Sequence, residues 1–241
     1  MTDKPLKGRV TLVTGATRGI GYAAAIELAK AGSHIIATAR TQGGLEDLDD
    51  AIRAQGGECT IVPMDFKMLD GIDQLGKAVY ERWGRLDGLL ANAGVLGEIA
   101  PVPHISPKKF DEALAINVTA NFRLIRSLEP LLMASPSGRA VFMSSRASVS
   151  RKAFWGAYAA SKAALDAMVQ CWADETEQSN LRINLVYPGP VRTQMRAKAM
   201  PGEDPDTLPQ PIDIAKRLVP LLSPDYKAHG EIISFRGEEP L

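Results

Sequence analysis

The chain has 241 residues, and its 28 Lys and Arg balance 28 Asp and Glu, so the formal net charge is zero and neither nucleic acid nor an anionic membrane is expected as the main partner. A hydrophobic content of 45% suffices for a full α/β core, while no apolar run approaches the ~18 residues of a membrane span. Cys59 and Cys171 form no CxxC, the N-terminus lacks a signal-peptide core, and His34, His104 and His229 have no metal-ligand spacing, which together predict a reduced, cytoplasmic protein without a metal site.

Taken in order, Arg9–Thr14 reads as a short buried strand. Gly15-Ala16-Thr17-Arg18-Gly19-Ile20-Gly21 follows at once, and Tyr22 to Ala31 has helical composition. Strand, glycine-rich turn and helix is the arrangement in which backbone N–H groups and a helix N-terminus cradle a pyrophosphate. The spacing GxxxGxG differs from the commoner GxGxxG, and an ordinary tight turn is the alternative. His34–Arg40 is a second strand, completing a βαβ unit. An NAD-preferring site places an acid at the end of this strand for the ribose 2′-hydroxyl, whereas this chain has Ala39 and Arg40. With Arg18 in the glycine turn, two guanidiniums could meet a 2′-phosphate, which points to NADP(H); two solvated arginines are the alternative.

Leu45 to Gln55 is an amphipathic helix, Cys59–Met64 a third strand with Asp65-Phe66 beyond it, and Leu69 to Trp83 a helix. Gly88–Ala91 is a fourth strand, followed by Asn92-Ala93-Gly94, where Asn92 could brace neighbouring strands. Pro107 to about Ala134 reads as one long helix carrying Asn117, a residue disfavoured there unless it faces water or has a task. Pro130 is expected to bend or break its last turns. Arg139–Ser144 is a fifth strand with Ser145 at its carboxyl end.

Tyr158 to Ser179 is a helix that opens rich in Ala, with Tyr158 and Lys162 one turn apart on one face. A phenol beside an ammonium is a candidate proton donor, the positive charge drawing the phenol below its usual ~10. Such a pair taken alone also arises by chance. Arg182–Val186 is a sixth strand, leading into Pro188-Gly189 and Thr193. Residues 192–210, with Pro201, Pro205 and Pro209 and no hydrophobic period, are expected to form a patternless loop that is either a substrate lid or a passive connection. Ile212 to Leu222 is a short helix and Glu231–Phe235 a last strand. The alternation predicts an α/β fold in one domain over residues 1–241: a doubly wound, Rossmann-like, seven-stranded parallel sheet flanked by helices.

The motifs stand in the order Thr14-Gly15-x-x-x-Gly19-x-Gly21, Asn92-Ala93-Gly94, Asn117, Ser145, Tyr158-x-x-x-Lys162 and Pro188-Gly189 with Thr193, and Ser145 lies thirteen residues before Tyr158. In that order and spacing the chain resembles the short-chain dehydrogenase/reductase family over essentially its whole length. Leu86 to Gly97, Trp155-Gly156-Ala157-Tyr158 and Arg192-Thr193-x-Met195-Arg196 further resemble one branch of little-characterised bacterial oxidoreductases. The resemblance implies an oxidoreductase that transfers a hydride between NADP(H) and a carbonyl or secondary alcohol, such as a ketone or 3-oxoacyl compound. It implies a tetrad in which Tyr158 is general acid or base and Ser145 hydrogen-bonds the reacting oxygen. Lys162 would bind the nicotinamide ribose and lower the phenol, and Asn117 would hold a water linking Lys162 to solvent.

The cofactor is implied to lie along Gly15, Thr17, Arg18, Gly19, Ile20, Gly21, Arg40, Asp65, Phe66, Asn92, Ala93, Gly94, Tyr158, Lys162, Pro188, Gly189, Val191 and Thr193. Within that set Asp65 and Phe66 would border the adenine, and Thr193 with the Val191 backbone would hold the carboxamide. Phe154, Trp155, Leu96 and Met195 would wall the substrate. The implied partners are a small-molecule carbonyl or alcohol and further copies of the chain, as a homodimer or homotetramer. The family's terminal Gly-Gly pair is replaced by Phe235-Arg236-Gly237-Glu238, which weakens the case for a tetramer through that edge and leaves a dimer through the 107–134 and 158–179 helices. A dinucleotide-binding regulator on the same fold is the rival reading; it would have no need of Ser145, Tyr158 and Lys162 together.

Overall fold

The structure is a computed structural model that describes residues 4–236. Strand β1 (Val10–Thr14) is buried at every residue, the pattern of a parallel strand covered on both faces. With β2 (His34–Ala39), β3 (Glu58–Pro63), β4 (Gly88–Ala91), β5 (Arg139–Met143), β6 (Arg182–Tyr187) and β7 (Ile232–Ser234) it forms a seven-stranded sheet in the order β3-β2-β1-β4-β5-β6-β7. Every neighbouring pair is parallel. The strand order reverses between β1 and β4, so the loops leaving those strands diverge and open a crevice at their carboxyl ends.

Nine α-helical segments are described: α1 (Gly19–Lys30), α2 (Gln42–Arg53), α3 (Leu69–Trp83), α4 (Pro107–Leu114), α5 (Ala120–Met133), α6 (Ala147–Ser150), α7 (Gly156–Glu175), α8 (Gln194–Ala199) and α9 (Pro211–Leu218). Alternate strand residues feed opposite cores. Leu12, Leu89, Phe142 and Leu185 join Leu75 of α3, Leu128 of α5 and Leu165 of α7. Val13, Leu90, Val141 and Val186 join Leu28 of α1, Leu48 of α2 and Leu218 of α9. Among the described residues no helix is long and apolar enough to cross a membrane.

Several boundaries differ from the sequence expectation, each for a local reason. Helix α1 begins at Gly19, so the second half of the glycine motif is helical. The expected 107–134 helix is α4 and α5 joined by a π-helical stretch, Ala115–Thr119, that contains Asn117. Pro130 does not end it: α5 runs to Met133, its last turn held by buried Leu128, Leu131 and Leu132. Helix α7 stops at Glu175, just before Thr176 Oγ bonds back to the Trp172 carbonyl at 2.8 Å. Residues 211–222 divide into α9 and a 3₁₀ turn, Pro220–Leu222, because Pro220 has no N–H to continue the ladder. Met1–Asp3 and Gly237–Leu241, the latter including the terminal departure noted above, lie outside the described residues.

Candidate active site

The glycine turn joins β1 to α1 with backbone shapes that favour glycine: Gly15 has φ +65 and Gly19 φ +57. At Gly21 the reason is space, because a Cβ there would sit 2.4 Å from both Asn92 Nδ2 and the Gly15 carbonyl. Asn92 occupies that space with purpose: its Nδ2 donates to the Thr14 carbonyl at 3.0 Å, while Thr14 Oγ accepts from the Asn92 and Ala93 N–H groups at 2.9 Å each. The ends of β1 and β4 are thereby tied together across the crevice. Arg18, the residue before α1, offers no side-chain cap, and the first turn of the helix has no acidic residue. Its free N–H groups and dipole face the crevice mouth, a cradle that fits a pyrophosphate.

The other residues expected along a dinucleotide stand in this turn or just beyond the carboxyl ends of β2, β3 and β6. Arg18 and Arg40 are both exposed, one in the turn and one at the end of β2. Thr17 packs against the backbone at Gly44, at the start of α2. Asp65 is half-buried and accepts from the Lys67 N–H at 3.0 Å, whereas the Phe66 side chain is in the core with 5% exposed. Phe66 can therefore meet a ligand only through its backbone. Gly189 has φ +76, Val191 is buried, and Thr193 approaches Gly19 closely enough that a Cβ on Gly19 would lie 3.4 Å from its Cγ2.

The four residues of the expected tetrad converge beyond the ends of β4 and β5. Asn117 is wholly buried. Its Nδ2 donates to the Val95 carbonyl and to Ser161 Oγ, each at 2.9 Å, and its Oδ1 accepts from the Val95 N–H at 2.8 Å. Both amide protons are used, and one lone pair remains on Oδ1. That oxygen and Lys162 Nζ lie on the same side of Gly94, at 3.2 and 3.7 Å from where a Cβ on Gly94 would stand. A π-helical turn frees backbone groups and recurs at functional sites, which accounts for a polar residue inside a long helix here.

Tyr158 and Lys162 project from the first turns of α7, 8% and 4% exposed, with Nζ 5.9 Å from the centre of the tyrosine ring. Lys162 Nζ donates to the Met143 carbonyl at 2.7 Å, and Tyr158 is hydrogen-bonded to the Ser145 side chain. Burial lowers the Lys162 ammonium to about 8, against the nearby Asp166 carboxylate, which raises it. Burial also pushes the Tyr158 phenol up to about 12; the Ser145 hydrogen bond opposes this and Asp166 adds to it. The sequence led us to expect the opposite direction for Tyr158. Desolvation of the buried phenol is the largest influence and sets that direction.

The segment before α7 is strained. Arg151 and Phe154 have φ +44 and +72, conformations that cost non-glycine residues about 1–3 kcal/mol each. They turn the chain so that Phe154 stays 54% exposed and Trp155 packs edge-on against Tyr158 with ring centres 5.9 Å apart. Leu96 is half-buried and Met195 is 36% exposed. Residues 192–210 are not patternless, as expected, but carry α8 and a 3₁₀ turn, Pro205–Thr207. Thr193 caps α8, accepting from the Arg196 N–H at 3.2 Å. Paired contacts of Arg196 with Glu203, and of Arg192 with Asp206 at 2.7 Å, fold the segment on itself. Such charge pairing between residues of a Pro-rich stretch leaves no hydrophobic period to read. Ser161, which fixes Asn117, stands in no motif of its own; its one signal in the sequence is a hydroxyl on the buried side of α7, next to Lys162.

A model of the short chain dehydrogenase family matches residues 9–204. The chain is 39% identical over 225 residues to the uncharacterized oxidoreductase YciK of Escherichia coli K12, covering 92% of this chain and 89% of that one. A crystal structure of a short chain dehydrogenase from Escherichia coli CFT073 complexed with NADPH has a TM-score of 0.94 at 36% identity, covering 98% of this chain and 100% of that one. A second, from Shigella flexneri 2a and complexed with NADP, has a TM-score of 0.93 at 37% identity, covering 97% and 99%. The chain belongs to the short-chain dehydrogenase family and is an oxidoreductase.

Proposed function

We propose that the chain is an NADP(H)-dependent reductase or dehydrogenase that interconverts a small-molecule carbonyl, such as a ketone or 3-oxoacyl compound, and its secondary alcohol. The observation that carries this reading is the convergence of Ser145, Tyr158, Lys162 and Asn117 beside the glycine turn, with Tyr158 bonded to Ser145. The bound dinucleotide would supply or accept the hydride. Gly15, Gly19, Gly21 and the N-terminus of α1 would hold its pyrophosphate, with Thr17 and Ile20 alongside. Asn92, Ala93 and Gly94 would flank it, and Pro188, Gly189, Val191 and Thr193 would receive the nicotinamide end. Asp65 and the Phe66 backbone would border the adenine.

Negative charge develops on the substrate oxygen in reduction. Tyr158 donates its phenolic proton to that oxygen, and a phenol held protonated by burial is in the state this direction requires. Ser145 hydrogen-bonds the same oxygen and stabilises the developing charge. Lys162 holds the nicotinamide ribose, and the free lone pair of Asn117 Oδ1 takes a water that returns a proton toward Lys162. Phe154, Trp155, Leu96 and Met195 form the apolar wall, and residues 192–210 act as the lid.

The preference for NADP(H) over NAD(H) rests on Arg18 and Arg40, which offer two guanidiniums where an acid would favour a free 2′-hydroxyl. The NADPH and NADP complexes of the related structures support it. Self-association would use α7 and the outer face of α5, where Phe122 and Met133 are 45% and 46% exposed. A cytoplasmic setting accords with two free cysteines, Cys59 and Cys171. The test of the reaction class is NADPH oxidation across ketones, diketones, aldehydes and 3-oxoacyl thioesters, with Ser145→Ala beside the wild type. Turnover that Ser145→Ala lowers on one substrate class supports the reading and names the class. Retained NADPH binding with no turnover on any carbonyl contradicts it.

A further inference from the structure

A buried carboxylate lies on the same stripe of α7 as Tyr158 and Lys162, and nothing in the reaction above uses it. Asp166 follows Lys162 by four residues, so Tyr158, Lys162 and Asp166 stand on consecutive turns of one face. Asp166 is 6% exposed. Its Oδ2 accepts from the Tyr187 hydroxyl at 2.6 Å, at the end of β6, and Tyr187 is in turn 2.8 Å from Ser148 Oγ in α6. Since the single Tyr187 proton is directed at the carboxylate, Ser148 is the donor to Tyr187. Asp166 Oδ1 is buried and has no hydrogen-bond partner among the described residues.

A carboxylate so enclosed, with one oxygen unbonded, is costly to keep unless its charge serves another group. The groups packed around Lys162 leave one candidate. On α7 they are Tyr158 and Asp166; from β5 the Met143 carbonyl; from β6 Tyr187, reached through Asp166; and from the π-helical stretch the neutral Asn117. Among the described residues, Asp166 is the one charged group that acts on Lys162.

We propose that Asp166 is a positioning residue for the site: its carboxylate, anchored by Tyr187 and Ser148, is the counter-charge that keeps Lys162 an ammonium and Tyr158 a phenol. The effect has one sign. A negative charge stabilises the ammonium and opposes formation of the phenolate, so both groups hold their protons to higher pH when it is present. Asp166 thereby favours the proton-loaded form of the site, the form from which a carbonyl is reduced. Tyr187, whose phenol burial and the Asp166 hydrogen bond push up to about 12, stays a donor throughout.

This proposal rests on Lys162 and Tyr158 belonging to the site, and its test is read on the protein alone, so it is decided even if no carbonyl is turned over. The protein is labelled with [ε-¹³C]lysine, the Lys162 resonance is assigned with Lys162→Arg, and its titration is followed by NMR. In Asp166→Asn and in Asp166→Ser the Lys162 midpoint is expected to fall by about one pH unit or more, the size of effect one neighbouring opposite charge has. In Asp166→Glu, which restores the charge, and in Ser148→Ala, which removes only the distal hydroxyl, it stays near the wild-type value. Asn and Ser differ in size and bonding, so whichever folds with native circular dichroism decides. An unmoved midpoint in a folded charge-free variant overturns the proposal. So does an equal fall in Ser148→Ala, which would assign the effect to packing rather than charge.

Discussion

Asn117 and Ser161 belong to different helical segments and meet through a 2.9 Å hydrogen bond in the interior. Ser161 Oγ also bonds the Tyr158 carbonyl at 2.8 Å, so the position of Asn117 is tied to the turn of α7 that presents Tyr158. The same Asn117 side chain clamps Val95 through both its N–H and its carbonyl. One buried amide thus holds the β4 extension, the π-helical stretch and the start of α7 in register.

Removing that amide takes both hydrogen bonds from the Val95 backbone and the donor from Ser161, whose own proton stays on the Tyr158 carbonyl. Asn117→Ala is expected to lower the unfolding free energy by about 2–4 kcal/mol, given ~1–3 kcal/mol for each buried group left unsatisfied. Ser161→Ala, which deletes the hydrogen bonds to Asn117 and to the Tyr158 carbonyl but leaves Val95 clamped, should cost about 1–2 kcal/mol. Urea denaturation measures both, and a loss for Asn117→Ala no larger than for Ser161→Ala would refute the clamp.

Cofactor choice makes a second prediction. Arg40→Asp replaces a guanidinium at the end of β2 with the acid that suits a ribose 2′-hydroxyl. The ratio of kcat/KM for NADPH to that for NADH should fall at least about tenfold, the loss of one charge-assisted contact. Unchanged selectivity would remove the role assigned to Arg40 and leave Arg18 to carry it alone.

A third concerns pH and stability. Burial lowers Lys162 from 10.5 to about 8, so between these values the folded chain binds fewer protons there than the unfolded chain. The cost of burying Lys162 is therefore fully present below pH 8 and is relieved as pH rises toward 10.5. Relative to Lys162→Met, the wild type should gain stability over that interval. Paired denaturation curves at pH 7.5 and 9.5 read the difference directly, and a constant gap would show that Lys162 is not depressed. Tyr158 works in the other direction: its phenol ionises near 12 in the folded chain against 10 in the unfolded one, so stability falls as pH rises from 10 to about 12, and the comparison is kept below 10.

Much of this was legible in the sequence because the relevant signals are local. Every strand could be placed from short apolar runs, and their alternation with helices implies a parallel sheet covered on both faces. The glycine turn and the i,i+4 pair of Tyr158 and Lys162 are fixed by backbone geometry over a few residues. What could not be read depends on neighbours distant in the chain. Nothing near Asn117 announces a π-helical turn whose polar side chain is satisfied by Val95, 22 residues earlier, and Ser161, 44 residues later. The ordering of residues 192–210 comes from Arg196 meeting Glu203 and Arg192 meeting Asp206, not from any hydrophobic pattern. The raised phenol of Tyr158 reflects its burial, which the spacing to Lys162 does not disclose.

The role we propose for Tyr158 is that of proton donor in carbonyl reduction. It is tested most directly by comparing wild type and Tyr158→Phe under single-turnover conditions with NADPH and the best carbonyl substrate, while NADPH binding is followed by fluorescence. Loss of hydride transfer by about 100-fold or more, the usual worth of a positioned acid, with NADPH affinity within about threefold of wild type, is the predicted result. A Tyr158→Phe variant that reduces the carbonyl at the wild-type rate would contradict the account.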